Sequence, residues 1–318
     1  MMQISKAALK KAIVAVESER ARQPVAFQPD RTQLSVLQKS RKASDKAVSG
    51  FLSQAGLNLK AFQTLQGERS AVLDQFVAQQ KADALRRAAK QKGTLHSSIV
   101  AQSKALKGLA SLGDFFPYPS FNLDTPFLIW TTPLGPISDS AAVPFGSFAK
   151  FKVKASRYQG TQKIGFYFYW ANPFSNYAVI NATTFMSATG HLKAHAPWTV
   201  GVNTSRVAAR AQFGLWYGFP GDVASTDYES AFLGDIGAFG STFTGGSTRG
   251  VSISAGVSLN KTMFPVPPGK VVVFEVALFV DYENDDGNIE ADFETGAFKI
   301  TCPVVVFSLL NMPPGAMA

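Results

Sequence analysis

Between Val251 and Asn260 the chain alternates without exception: Val251, Ile253, Ala255, Val257 and Leu259 in one phase, Ser252, Ser254, Gly256, Ser258 and Asn260 in the other. A period of two held over ten residues is met by a strand with one buried and one wet face. Phe151, Val153 and Ala155 alternate in the same way with Lys150, Lys152 and Lys154, and Ile289, Ala291 and Phe293 with Glu290, Asp292 and Glu294. The apolar phase then moves to Phe298, Ile300 and Cys302, which predicts a bulge at Thr295-Gly296. Strands 271–282 and 289–302 pair as a hairpin through the Gly287-containing loop. Further strands are predicted at 127–130, 164–170, 177–184, 192–202 and 207–217, with a last apolar run at 304–310. No strand–helix–strand rhythm is present, so a parallel α/β fold is excluded in favour of an antiparallel β-sandwich, jelly-roll-like in its many short strands.

This pattern is confined to one part of the chain. Up to Gly113 there are 19 Lys/Arg against 7 Asp/Glu, whereas beyond it there are 12 against 15. All 4 Trp, all 8 Tyr and 15 of the 17 Pro also lie beyond it, so the materials of strands and turns are missing upstream. The expected fold class is therefore α+β in segregated halves: a basic amphipathic helical arm over 1–113 and an antiparallel β-sandwich over 114–318.

Within the arm, Leu9, Ile13 and Val16 mark one face of a first helix. Pro24 and Pro29 break the chain. An interrupted stripe runs from Leu34 to Ala55 and resumes after Gly56 with Leu59, Phe62 and Leu65. From Glu68 to Lys92 a further helix is predicted, with Leu73, Phe76, Val77, Ala84 and Leu85 inward and Gln80 weakening that face. Three roles suit such an arm. It packs on its own sandwich, it associates between copies as a stalk, or it binds nucleic acid through Arg86, Arg87, Lys90 and Lys92. Against the last, no aromatic is interleaved with that cluster for base stacking.

A cleavable export leader is not expected, because the apolar run Ala12–Val16 is only five residues long. Nor is a transmembrane helix, since Val271–Val280 contains Glu275 and is too short. The chain is accordingly expected to be cytoplasmic as synthesised, with release or assembly into a particle left open. A single cysteine, Cys302, removes any intramolecular disulfide and belongs to the apolar phase of its strand.

Signatures of catalysis are missing, and the expectation is a chain that is not an enzyme, with no metal site and no cofactor. His191 and His195 have the H-x-x-x-H spacing of a helical zinc site, but Gly190, Pro197 and the surrounding pattern put them on a strand or loop, at strand spacing roughly 13 Å apart. The acidic run from Asp281 to Glu290 places Gly287 one position late for a calcium loop. The most suggestive residues are aromatic. In Ile164–Trp170 one phase is core-like, while the other carries Tyr167 and Tyr169 where charge would be expected; Trp216 and Tyr217 repeat the theme. Something must cover or contact that face: the arm, another subunit, or a flat ligand such as a sugar ring. The function expected first is a non-enzymatic structural or interaction protein, homo-oligomeric, with an unidentified protein or glycan partner. The alternatives are a capsid-like packaging protein with a nucleic-acid-binding arm, and a carbohydrate-binding sandwich using Tyr167, Tyr169, Trp216 and Tyr217.

Overall fold

A computed structural model describes residues 5–22, 58–90, 120–131, 137–143, 147–156, 159–199, 201–219, 225–241, 245–302 and 304–310, with scattered positions between 43 and 56. Among the described residues two long helices precede thirteen strands: α1 (Lys6–Arg22) and α2 (Leu59–Lys90), then β1 (Ser120–Leu123), β2 (Leu128–Thr131), β3 (Ile137–Val143), β4 (Phe148–Ala155), β5 (Gly160–Ala171), β6 (Ala178–Ala196), β7 (Val202–Phe219), β8 (Ser225–Ser241), β9 (Ser247–Val266), β10 (Val271–Asn284), β11 (Asn288–Asp292), β12 (Lys299–Thr301) and β13 (Val305–Leu309).

The strands form two antiparallel sheets stacked as a β-sandwich. Five strands make sheet B, in the order β2-β5-β10-β7-β8. Sheet A has eight and is organised by β6, whose 19 residues pair with β9 along one edge and with β13, β12 and β11 in turn along the other. Beyond them lie β1, beside β13, and β4, beside β11 and β12, with β3 outside β4. Core residues come from single phases of the strands: Val272, Phe274, Val276 and Leu278 of β10 face Ile180, Met186, Leu192 and Ala194 of β6 across the sandwich.

Several boundaries differ from the sequence expectation. The strands predicted at 177–184 and 192–202 are one continuous β6, and Gly190, which fell between them, lies inside it. A Cβ there would stand 2.4 Å from Phe293 Cδ1 and 2.7 Å from the Asp292 carbonyl oxygen, so close packing requires this glycine. The bulge expected at Thr295-Gly296 is a wider excursion. β11 ends at Asp292, β12 starts at Lys299, and Gly296 takes φ +58° in between. Strand β8 went unpredicted because its glycines and half-buried residues carry no clean alternation.

The helices lie on the outer surfaces of the sheets. Leu9, Ile13 and Val16 of α1 are buried against Leu128, Tyr167, Trp216, Val271 and Val273 of sheet B. Each such side chain contributes about 1.5–3 kcal/mol over its exposed state. That supplies the stability a free 17-residue helix lacks. Helix α2 crosses the outer face of sheet A over β9 and β6, with Val77 and Ala84 buried. It is continuous through Gly67, and Phe76, expected inward, is 58% exposed. The helical segment is thus N-terminal in sequence, while in space its two long helices flank the sandwich on opposite sides. The stripe expected between Leu34 and Ala55 falls largely outside the described residues.

Replacing Gly190 by Ala should drive Phe293 from its site and destabilise the fold by about 1–3 kcal/mol. Guanidinium unfolding would show this as a lower midpoint at unchanged slope.

Candidate functional site

Of the aromatics singled out in sequence, Tyr167, Tyr169 and Trp216 share the outer face of sheet B, and Tyr217 does not. Tyr217 packs on the core side against Phe264, ring centroids 5.8 Å apart. Tyr167 and Trp216 are completely buried beneath α1, so neither is an accessible platform for a ligand in this structure. The covering that this face demanded is supplied by the chain itself.

Beneath α1 lies a buried charge cluster. Lys163 Nζ donates to Glu275 Oε1 at 2.8 Å and to Glu17 Oε1 of α1 at 2.5 Å, and Trp216 Nε1–H donates to Glu275 Oε2 at 3.3 Å. The same ammonium lies 5.8 Å and 5.5 Å from the ring centres of Tyr167 and Phe279. Glu275 thus interrupts the apolar β10 because it receives a partner from the neighbouring strand and a donor from Trp216. Outside this seam, Lys6 and Lys10 of α1 lie over Phe127 and Trp130.

The outer face of sheet A has two unlike halves, and cross-strand register arranges each in rows. In the half under α2 the rows are charged: Ser252, His191, Asp292 and Lys152 in one, Gly250, Lys193, Glu290 and Lys154 in the next. Lys81 of α2 reaches both Glu290 and Asp292 at 2.5 Å, and Asp74 of α2 accepts from Lys193 at 2.7 Å. Burial alone would raise the Asp292 carboxyl, but hydrogen bonds from Lys81 and Thr295 outweigh it and hold the group well below the usual carboxylate range.

In the other half the rows run Ser258–Phe185, Asn260–Thr183–Val306–Asn122, and Asn181–Ser308–Ser120. No charged side chain stands in these rows. Ser254, Gly256, Ser258, Asn260 and Asn122 are exposed, and Asn181, Thr183, Phe185 and Ser308 are half-buried. The Phe185 ring lies across Gly256, where a Cβ would meet its Cζ at 2.6 Å. A flat ring bedded on a glycine and bordered by hydroxyl and amide groups can stack a planar, polyhydroxylated ligand and hydrogen-bond its edges. Sequence reading overlooked Phe185 because the strand was ended at Thr184. The signal was nevertheless present, as one aromatic in the polar phase of Asn181, Thr183, Ser187 and Thr189.

The remaining candidates are accounted for. Arg86, Arg87 and Lys90 are exposed at the end of α2, with Arg86 paired to Asp83, and Lys92 lies outside the described residues. His191 and His195 both sit on β6, which settles the choice between strand and loop, and His195 Nδ1 lies 2.8 Å from Thr248 Oγ1. Among the described residues no group of His, Cys, Asp or Glu is arranged to hold a metal ion. The hairpin expected between 271–282 and 289–302 does not form, because β10 pairs with β5 and β7 in sheet B and β11 with β4 and β6 in sheet A. In the acidic run that crosses between the sheets, Asp281 pairs with Arg210 and Asp285 accepts from the Thr204 backbone and hydroxyl. Cys302 is fully buried, and burial pushes its thiol up to about 12. Among the described residues no helix is long and apolar enough to cross a membrane.

No protein-family model and no curated protein matches this chain. Solved structures with a similar course include the enzymatically active domain of bacteriophage CBA120 tailspike protein 4, at 9% identity over 62% of this chain and 20% of that one, with a TM-score of 0.19. TmCBM61 in complex with β-1,4-galactotriose is 8% identical over 60% of this chain and 91% of that one, with a TM-score of 0.16. A carbohydrate-binding module of the β-sandwich superfamily is 11% identical over 59% of this chain and 56% of that one, with a TM-score of 0.21. This chain therefore spans a fifth of the tailspike chain. Scores this low carry no functional weight.

Replacing Lys163 by Ala would leave Glu275 buried without its cation and should cost about 3–5 kcal/mol. Chemical denaturation would measure this, and Lys163→Met with Glu275→Gln should recover part of the loss.

Proposed function

We propose that the chain is a non-catalytic binding module whose ligand is a neutral glycan, held on the uncharged half of the outer face of sheet A. The observation behind this reading is the composition of that half-face: Phe185 bedded on Gly256, surrounded by Ser258, Thr183, Asn260 and Asn181. A sugar ring is amphipathic, with C–H groups on its faces and hydroxyls at its edge. Stacking on Phe185 would bury the first, while neighbouring hydroxyls and amides would exchange hydrogen bonds with the second. A neutral surface also incurs little of the desolvation penalty that charged rows would impose. The site differs from the aromatic set chosen in sequence, since Tyr167 and Trp216 serve to dock α1.

Affinity electrophoresis of the full-length protein through gels containing neutral β-glucan, galactan or mannan tests this. At least one should retard it, and Phe185→Ala should weaken binding by about tenfold, or ~1.4 kcal/mol. Gly256→Val, which displaces the ring, should act in the same direction. No retardation by any neutral polysaccharide, or retention unchanged in Phe185→Ala, would refute the assignment.

A further inference from the structure

Among the described residues, His191 is the one imidazole that the fold both buries and leaves without a hydrogen-bond partner. It is 1% exposed, and neither Nδ1 nor Nε2 meets a donor or acceptor. Its ring and Val77 of α2 both close over Gly250 of β9; a Cβ on Gly250 would stand 2.8 Å from both His191 Nε2 and Val77 Cγ1. Helix α2 presents Lys81, which interacts with the imidazole electrostatically, and also carries Asp74. Its own strand contributes Lys193 and, four residues on, His195; β11 contributes Glu290 and Asp292. Lys152 of β4 lies beyond Asp292, and β9 offers only the uncharged Gly250 and Ser252.

We propose that His191 makes the contact between α2 and sheet A releasable by acid, so that its protonation lifts the helix while the sandwich stays folded. Protonation would add a second N–H and a positive charge where no acceptor is free. Glu290 and Asp292 are already engaged by Lys81 and Lys152, and Lys81 and Lys193 repel the new charge. Withdrawal of α2 removes Lys81 and the cover that Val77 gives the ring, admits water to the imidazolium, and leaves Glu290 and Asp292 beside it while Lys193 stays on β6.

The sign is fixed by linkage. Burial first, then Lys81, pushes the docked imidazole down to about 4 from an ordinary value of 6.5. The detached state therefore binds more protons below about pH 6.5, and docking weakens as pH falls from there to about 4. Between pH 7 and pH 4 the docking equilibrium shifts by up to about 120-fold, and the full limit of about 300-fold is approached only below pH 4. Asp292, held below the usual carboxylate range, stays ionised throughout, so the loss of docking in this window does not await its neutralisation.

A thiol probe reads the contact directly. Cys302 is fully buried, and an engineered Ala84→Cys would sit beneath α2, where Ala84 is 5% exposed. Its modification by 4,4′-dithiodipyridine in the full chain, normalised to Ala82→Cys on the exposed side of the same helix, should accelerate by up to about 100-fold between pH 7 and pH 4, within the linkage limit above. Far-UV circular dichroism should keep its sheet signal. In an Ala84→Cys protein also carrying His191→Leu, or His191→Gln if the first fails to fold, protection should persist to pH 4. Constant protection in the parent, an unchanged pH response in both His191 variants, or loss of the sheet signal at the same pH would each overturn the proposal.

Discussion

Strand β10 cannot be left wet on either side, and the layered build of the molecule follows from that. From Val271 to Val280 every residue is buried. One phase fills the space between the sheets, and the other needs a cover outside sheet B. Helix α1 provides it over Val271, Val273, Tyr167 and Trp216. Farther along, the Arg210 guanidinium lies 4.2 Å from the centre of the Phe279 ring and pairs with Asp281. This central strand of sheet B thus behaves as strands of parallel sheets do, buried on both faces, although its pairing is antiparallel.

Sheet A meets its outer face differently. Where the rows carry charge, α2 lies over them and completes the pairs: Lys81 with Glu290 and Asp292, Asp74 with Lys193. Where the rows carry only hydroxyls, amides, Val306 and one phenyl ring, no such pairing is needed. The division falls along β6, between Thr189 and His191. It gives one strand two roles, an anchor for a helix at one end and the floor of the proposed ligand face at the other.

Much of this was legible in sequence, for physical reasons that can be named. Strict alternation fixes which side of a strand is buried, so the core phases of β4, β9 and β11 could be read directly. The tyrosines at 167 and 169 broke the expected polar phase of β5 and demanded a cover, and Leu9, Ile13 and Val16 formed a stripe able to provide one. What pairs with what is non-local, and there the sequence was silent. Helix α2 carries two apolar stripes, and the exposed one includes Leu65, Val72 and Phe76. The choice between them was made by Asp74 and Lys81 meeting charges on β6 and β11. Gly190 looks like a gap between strands until Phe293, about a hundred residues later, is seen to need its space. Phe185 was missed through the same misplaced boundary.

Hydrogen–deuterium exchange followed by mass spectrometry on the intact chain tests most directly the claim that α1 is a layer of the fold. A helix of 17 residues is marginal when free and would exchange within seconds. Docked on sheet B, the amides around Leu9, Ile13 and Val16 should be protected on the timescale of the neighbouring strands β5 and β10. Fast exchange through Lys6–Arg22 beside slow exchange in β10 would contradict the account, and would leave the outer face of sheet B requiring another cover.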